Sequence, residues 1–167
     1  ATDDVDAVSS FTSFGPTDDG RLRPDVSAPG VDVYSCTTGN SYTTLSGTSM
    51  ASPHVAGAAA LIKSVHHDWG VNEIVSALET TATQALAKDE FGEPATTEQV
   101  GAGRPQIDEA VNIGFYLDVS RLDFMASNPD PRVGGDLRRL NLPSLVDAEC
   151  TSTCTFTRTL TDLMGGN

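Results

Sequence analysis

The sequence has 167 residues, enough for one domain or for parts of two. Lys and Arg number 10 against 23 Asp and Glu, so the formal net charge is −13, which argues against nucleic acid and against an anionic membrane as partners. The sequence lacks an initiator Met, a signal-peptide pattern and an apolar run long enough to cross a bilayer, and it reads as an acidic piece cut from something longer.

Residues 1–46 predict strands joined by tight turns. Val5, Val8, Phe11 and Phe14 supply apolar character among serines and threonines, and Gly15-Pro16-Thr17-Asp18-Asp19-Gly20 is a turn cluster. Asp18 and Asp19 fall short of the roughly six to eight oxygens that calcium takes, so a solvated turn is expected there. Pro24 to Gly30 punctuates the chain again. Val31, Val33 and Ser35 then alternate with Asp32, Tyr34 and Cys36 at strand period. Thr38-Gly39-Asn40 turns the chain, and Tyr42 to Leu45 reads as the returning strand of a hairpin that delivers Ser46-Gly47 to a helix.

That helix starts in Gly47-Thr48-Ser49-Met50-Ala51-Ser52-Pro53-His54-Val55-Ala56-Gly57 and continues through Ala58-Ala59-Ala60-Leu61-Ile62 towards His66-His67-Asp68. Thr48 suits the cap, and Ser49 falls in the first turn, where backbone N–H groups lack intrahelical partners and the dipole favours negative charge. An oxyanion developing beside Ser49 would find a donor in that residue's own N–H. The helix is apolar nearly all round, which predicts burial, and its glycines and alanines let other backbones approach closely. Pro53 removes one early helical bond. A glycine, a capping threonine and a serine are also an ordinary helix start, so these residues alone do not decide between catalysis and structure. His66 and His67, being adjacent, point in different directions and form no metal pair; they are expected at the exposed helix end.

Asn72 is expected to cap a second helix whose apolar face is Ile74, Val75, Leu78 and Ala82. Residues 83–100 read as a loop. Gly101-Ala102-Gly103-Arg104-Pro105 leads into a short helix with Pro105 near its first position and Ile107, Ala110 and Val111 inward. Residues 116–139 carry no period and read as a connector, after which Leu140 to Val146 and Thr155 to Thr161 predict two strands. Cys150 and Cys154 can close a small disulfide loop, the preferred reading and one that places the protein outside the cytosol; alternatively all three cysteines are inert thiols. No second Cys/His pair exists to complete a zinc site.

The string from Gly47 to Gly57 resembles the nucleophile motif of the subtilisin-like serine proteases, the subtilases (peptidase family S8). Ser10-Phe11-Thr12-Ser13-Phe14-Gly15-Pro16 is similar to that family's serine-rich strand ending in Gly-Pro, Asp25 to Gly30 to its Ala-Pro-Gly turn, and Gly101-Ala102-Gly103 with the helix after it to the end of its catalytic domain. The resemblance implies an α/β fold with three parts. Residues 1–115 would be the C-terminal part of a three-layer, parallel-sheet catalytic domain, 116–139 a linker, and 140–167 the start of a fibronectin-III-like β-sandwich.

It further implies that Ser49 is the nucleophile and that Gly47, Thr48 and Met50 lie on the oxyanion and substrate side. In this reading the Thr48 hydroxyl is a secondary contact, and the Met50 sulfur is open to oxidation beside the leaving group. His54 is implied to be structural. The family's acid and base precede its serine, whereas the histidines here, His54, His66 and His67, all follow Ser49. The expected function is therefore a secreted serine endopeptidase fragment, inactive alone, that cleaves peptide bonds through an acyl-enzyme once joined to the upstream Asp and His. Its expected partners are a protein or peptide substrate and the upstream part of the same protease domain. No metal or cofactor is expected in this chain, with calcium a candidate only for the intact enzyme. The alternatives are a pseudoenzyme that has lost its acid or base, or an accessory module that binds through the C-terminal strands without proteolysis. Cut off from its surroundings, a buried helix would expose apolar surface, so an ordered structure is expected to need a partner.

Overall fold

The computed structural model describes residues 1–3, 6–84, 87–147 and 150–165, and Val5 lies outside them. Strands β1 (Val33–Thr37) and β2 (Ser41–Leu45) form the expected antiparallel hairpin, with Val33 opposite Leu45 and Thr37 opposite Ser41. Gly39 and Asn40 turn it with φ of 77° and 57°, a region these two residue types enter at little cost. Tyr34 and Tyr42 stack on one face with centroids 5.5 Å apart, and most of the hairpin is exposed on both faces.

Helices α1 (Thr48–Val65), α2 (Val71–Thr80) and α4 (Ile107–Ala110) enclose the main core of Ile62, Trp69, Ala77, Leu78 and Ala110. Burial of α1 is confined to one stripe, which corrects the expectation of a helix covered all round. Val55, Ala58, Ala59 and Ile62 pack inward at helical spacing, whereas Leu61 and Val65 remain 59% and 60% exposed. The reason is that, among the described elements, its main neighbours are α2 and α4, which cover one side of it. His66 is drawn into this end of the core: its ring stacks on Trp69 at 3.8 Å and Nε2 donates to the Val111 carbonyl at 2.7 Å, while His67 stays exposed.

Helix α2 is capped by Gly70, whose N–H donates to the Glu73 carboxylate at 3.0 Å; Asn72, expected at the cap, instead donates from Nδ2 to the Val119 carbonyl at 3.2 Å. Its buried residues are Ser76, Ala77 and Leu78, while Val75 is exposed and Ala82 lies beyond the helix. Ser76 turns inward because its hydroxyl accepts the Leu117 N–H at 3.0 Å, a bond that satisfies a buried donor.

The described residues of 83–100, expected as a loop, hold more local structure than their polarity implies. Asp89 Oδ1 accepts from the backbone N–H groups of Phe91 and Glu93, both at 2.9 Å. A single turn, α3 (Thr97–Val100), drives Val100 into a second core with Val8 and Ala87. Gly101 and Gly103 follow with φ of 65° and 105°, and a Cβ on either would meet backbone: Pro24 and Asp25 oxygens at 2.3 Å, or the Thr83 oxygen at 2.1 Å. Only glycine fits both the torsion and the space. Pro105 precedes the Gln106 cap of α4, and Ala110 is fully buried as expected. Arg104 reaches back to the buried Asp6 carboxylate at 2.6 Å.

Beyond Gly114, β3 (Phe115–Tyr116) pairs antiparallel with β4 (Thr161–Asp162). The expected connector contains α5 (Arg121–Ala126), where Ser120 and Asp123 cap each other, and a 3-10 turn at Leu137–Arg139. The strands expected at 140–146 and 155–161 form no ladder with each other. Side chains join the two segments instead: Asn141 bonds both the N–H and the carbonyl of Thr159, at 2.8 and 2.9 Å, and Arg158 donates to the carbonyls of Leu142, Ser144 and Arg138. Pro143 offers no donor, and the guanidinium takes carbonyls that a ladder would have used. Cys150 and Cys154 form a disulfide, and Cys36 is an exposed free thiol. Helices and small sheets together are compatible with the α/β class, but the parallel pairing expected of it is confined, among the described residues, to the single bridges Thr2 with Pro29 and Ala7 with Lys88.

Glu79 on α2 generates a pH dependence. Burial, with the Asp25 carboxylate adding to it and Arg23 opposing, pushes its carboxyl from the ordinary 4.5 up to about 7. The folded state then holds a proton that the unfolded state has released, so this group costs nothing below 4.5 and costs progressively more as pH rises to about 7. Glu79→Gln removes the cost. Urea melts are expected to show the variant gaining up to about 3 kcal/mol over wild type at about pH 8 and nothing at about pH 4.

Candidate functional site

The site is built where the hairpin hands the chain to α1. Gly30 lies against Gly47: the Gly47 N–H donates to the Gly30 carbonyl at 2.7 Å, and the Gly30 N–H donates to the Thr2 carbonyl at 2.7 Å. A Cβ at position 30 would stand 2.7 Å from the Gly47 oxygen and 3.2 Å from Ala51 Cβ. The Ala-Pro-Gly turn and the head of α1 thus touch backbone to backbone. Just beyond this contact, the Asp32 N–H donates to Ser46 Oγ at 2.8 Å and Ser46 Oγ donates to Asp32 Oδ1 at 3.1 Å. Neither Asp32 nor Ser46 stands out in the sequence as a site residue; the only signal is their position, Ser46 next to Gly47 and Asp32 two residues after Gly30.

Gly47 itself occupies the cap of α1, correcting Thr48, which is the first helical residue and makes no capping bond. The Gly47 carbonyl accepts from the N–H groups of Met50 at 3.0 Å and Ala51 at 3.4 Å. Ser49 is exposed, and neither its hydroxyl nor its backbone N–H has a partner among the described residues. Pro53, lacking an N–H, leaves the Ser49 carbonyl without its usual helical donor as well. The half-buried Met50 folds back so that its sulfur lies 3.6 Å from where a Cβ on Gly47 would stand. Gly47, Thr48, Ser49 and Met50 are therefore contiguous on one exposed helix entrance whose dipole favours negative charge.

No imidazole serves that hydroxyl. His54 Nδ1 donates to the Met50 carbonyl at 2.8 Å, along the helix and away from Ser49, and His66 is engaged with Val111. Among the described residues no group of three or more His, Cys, Asp or Glu side chains is placed to hold a metal, and no helix is long and apolar enough to cross a membrane. A cleft lined by residues 16–20 and by parts of 128–154 receives nothing from α1, so it is separate from Ser49.

Comparison with known proteins covers most of the chain. The model of the subtilase family matches residues 1–103. The chain is 38% identical to the CO(2)-response secreted protease of Arabidopsis thaliana, over 71% of this chain and 18% of that protein. It is 35% identical to the subtilisin-like protease SBT4.8 of the same plant, over 96% of this chain and 28% of the relative, and 31% identical to SBT3.6, over 93% and 24%. The chain spans less than a third of the length of each.

Gly30→Ala tests the backbone contact that fixes the helix entrance. The added methyl cannot fit without parting Gly30 from Gly47, so a loss of about 1–3 kcal/mol is expected in thermal or urea unfolding. Hydrogen exchange should show the Gly47 amide losing protection more than the Ile62 amide in the core; equal loss at both would refute a local role.

Proposed function

Since the chain belongs to the subtilase family, a family of serine proteases, we propose that it supplies the nucleophile Ser49 of an endopeptidase whose acid and base come from outside residues 1–167. The observation that carries this reading is an exposed serine at a helix entrance with its own N–H unpartnered, inside the Gly47 to Gly57 string. Ser49 Oγ attacks the scissile carbonyl and passes its proton to the histidine supplied by the upstream part. The carbonyl oxygen takes up the negative charge and is met by the Ser49 N–H and the helix dipole. The base then protonates the leaving amine, and water repeats the attack on the acyl-Ser49 ester. Gly47 keeps this face free of a side chain, with Thr48 and Met50 flanking the substrate.

The surface left bare fits the upstream part as partner. The exposed sides of α1, with Leu61 and Val65, and the hairpin, with Tyr34, Tyr42 and Leu45, offer apolar surface that a further layer would cover. Secretion is proposed from the Cys150–Cys154 disulfide and from the relative whose name calls it secreted. Residues 1–115 are assigned to the catalytic domain, 116–139 to a linker, and 140–167 to the start of a fibronectin-III-like β-sandwich, supported by the side-by-side course of 141–144 and 158–159. Calcium in the intact enzyme would need donors beyond the described residues, whose His, Cys, Asp and Glu side chains form no group of three placed to hold a metal.

Treatment with a fluorophosphonate probe followed by intact-mass analysis tests the proposal. The chain alone is expected to stay unlabelled, and labelling at Ser49 is expected once the upstream part of the protease is joined to it. In the joined enzyme Ser49→Ala should lower kcat by about 10⁴-fold or more. Absent labelling with the two parts shown to associate would instead identify a pseudoenzyme, and peptide binding that survives deletion of residues 1–115 would identify an accessory binding module.

A further inference from the structure

We infer that the side-chain clasp between Asp32 and Ser46 is a positioning device for Ser49, so that these two residues govern turnover without touching substrate. The inference rests on the reading of Ser49 as nucleophile.

Three observations carry it. The clasp is reciprocal: Ser46 Oγ accepts the Asp32 N–H at 2.8 Å and donates to Asp32 Oδ1 at 3.1 Å, a charge-assisted bond that fixes the rotamers of both side chains. It lies next to the Gly30–Gly47 backbone bond, so the chain entering α1 is gripped at Ser46 by side chains and at Gly47 by the main chain. Asp32 is held at φ 50°, a left-handed conformation that costs a non-glycine residue energy and persists where the surroundings impose it.

The consequence follows from how few torsions separate the clasp from the nucleophile. The Gly47 carbonyl accepts the Met50 and Ala51 N–H groups that open α1, so its orientation sets the direction of the first turn and of Ser49 Oγ. Gly47 has no side chain to resist rotation, and Thr48 makes no capping bond. With the usual helix cap missing, the bond at residue 46 does that work. Without the clasp, the Gly47 peptide keeps one anchor and gains freedom to rock about it. An ångström of displacement at a reacting atom is enough to cost catalysis up to about a hundredfold, whereas substrate binding at surfaces away from α1 is unaffected.

The test uses the complete protease containing this chain. Ser46→Ala and Asp32→Ala are each expected to lower kcat about tenfold or more with KM within about twofold, and to slow fluorophosphonate labelling of Ser49 in parallel. Ser46→Thr, which keeps the hydroxyl, and Asp32→Asn, which keeps an acceptor and tolerates the left-handed backbone, should restore most of the rate. Unchanged kcat in the two alanine variants overturns the inference. So does a loss carried by KM, or a loss that the rescuing variants share once thermal melts show all four folded. Proteolysis that persists in Ser49→Ala would instead overturn the nucleophile assignment, and with it the premise, so the two failures are told apart.

Discussion

The close approach of Gly30 to Gly47 is the constraint on which the rest of the structure depends. It joins the end of the Ala-Pro-Gly turn to the head of α1 through a 2.7 Å backbone bond, and through Gly30 it reaches Thr2. The other fixed point of α1 is Ile62, fully buried in the main core and about 22 Å further along the axis at 1.5 Å per residue. Two anchors so far apart define the axis of the helix, and a second pair of close approaches, Gly101 against Pro24–Asp25 and Gly103 against Thr83, ties the loop before α4 to the same body. The precision of the helix entrance thus comes from main chain against main chain. Such contacts have fewer rotatable bonds than packed side chains, and so fewer ways to relax.

The exposed flank of α1 bears on what surrounds this chain. Gly57, in the middle of the helix, has nothing within 4 Å of where its Cβ would be. Glycine there costs about 1 kcal/mol relative to alanine, and no contact among the described residues offsets it. Ala56 and Ala60 are exposed on the same helix, and Leu61 and Val65 continue the bare surface. Small residues at 56, 57 and 60 leave room for a backbone or a sheet to be laid closely against this side, with Leu61 and Val65 as apolar contacts. This agrees with the proposal that further protease chain covers it. The hairpin makes the same point, since a two-stranded ribbon uncovered on both faces has little stability of its own.

Local signals were legible in the sequence where one residue type decides the matter. The hairpin turn at Gly39-Asn40, the helix after Gly47, the punctuation at Gly101 and Gly103 and the disulfide of Cys150 with Cys154 all follow from torsional freedom or from chemistry confined to a few residues. The helix boundaries expected at Thr48 and Asn72 differ because a glycine takes the cap at both, Gly47 through its backbone bond to Gly30 and Gly70 through the Glu73 carboxylate. Composition predicts burial of α1 because it reports what a helix is suited to, whereas exposure depends on which layers are present. The strands read at 140–146 and 155–161 had the right period, yet their carbonyls were taken by Arg158, a residue whose reach across the fold leaves no trace in local pattern. Asp32 and Ser46 were invisible as a pair for the same reason: 14 residues separate two ordinary polar side chains, and only the hairpin brings them together.

His54 shows why presentation and activation of a nucleophile separate in a chain of this kind. A residue five positions along an α-helix lies about 7.5 Å further on and is turned roughly 140° around the axis, so its ring faces away from Ser49. The hydrogen bond from Nδ1 to the Met50 carbonyl fixes that orientation and occupies the atom with a helix acceptor. A base for Ser49 must therefore approach from outside the helix, across the face that Gly47 leaves open. On the proposed reading the helix contributes what a rigid element does well, a fixed oxygen beside a fixed N–H. The proton acceptor, which must meet both hydroxyl and leaving group, belongs to another layer.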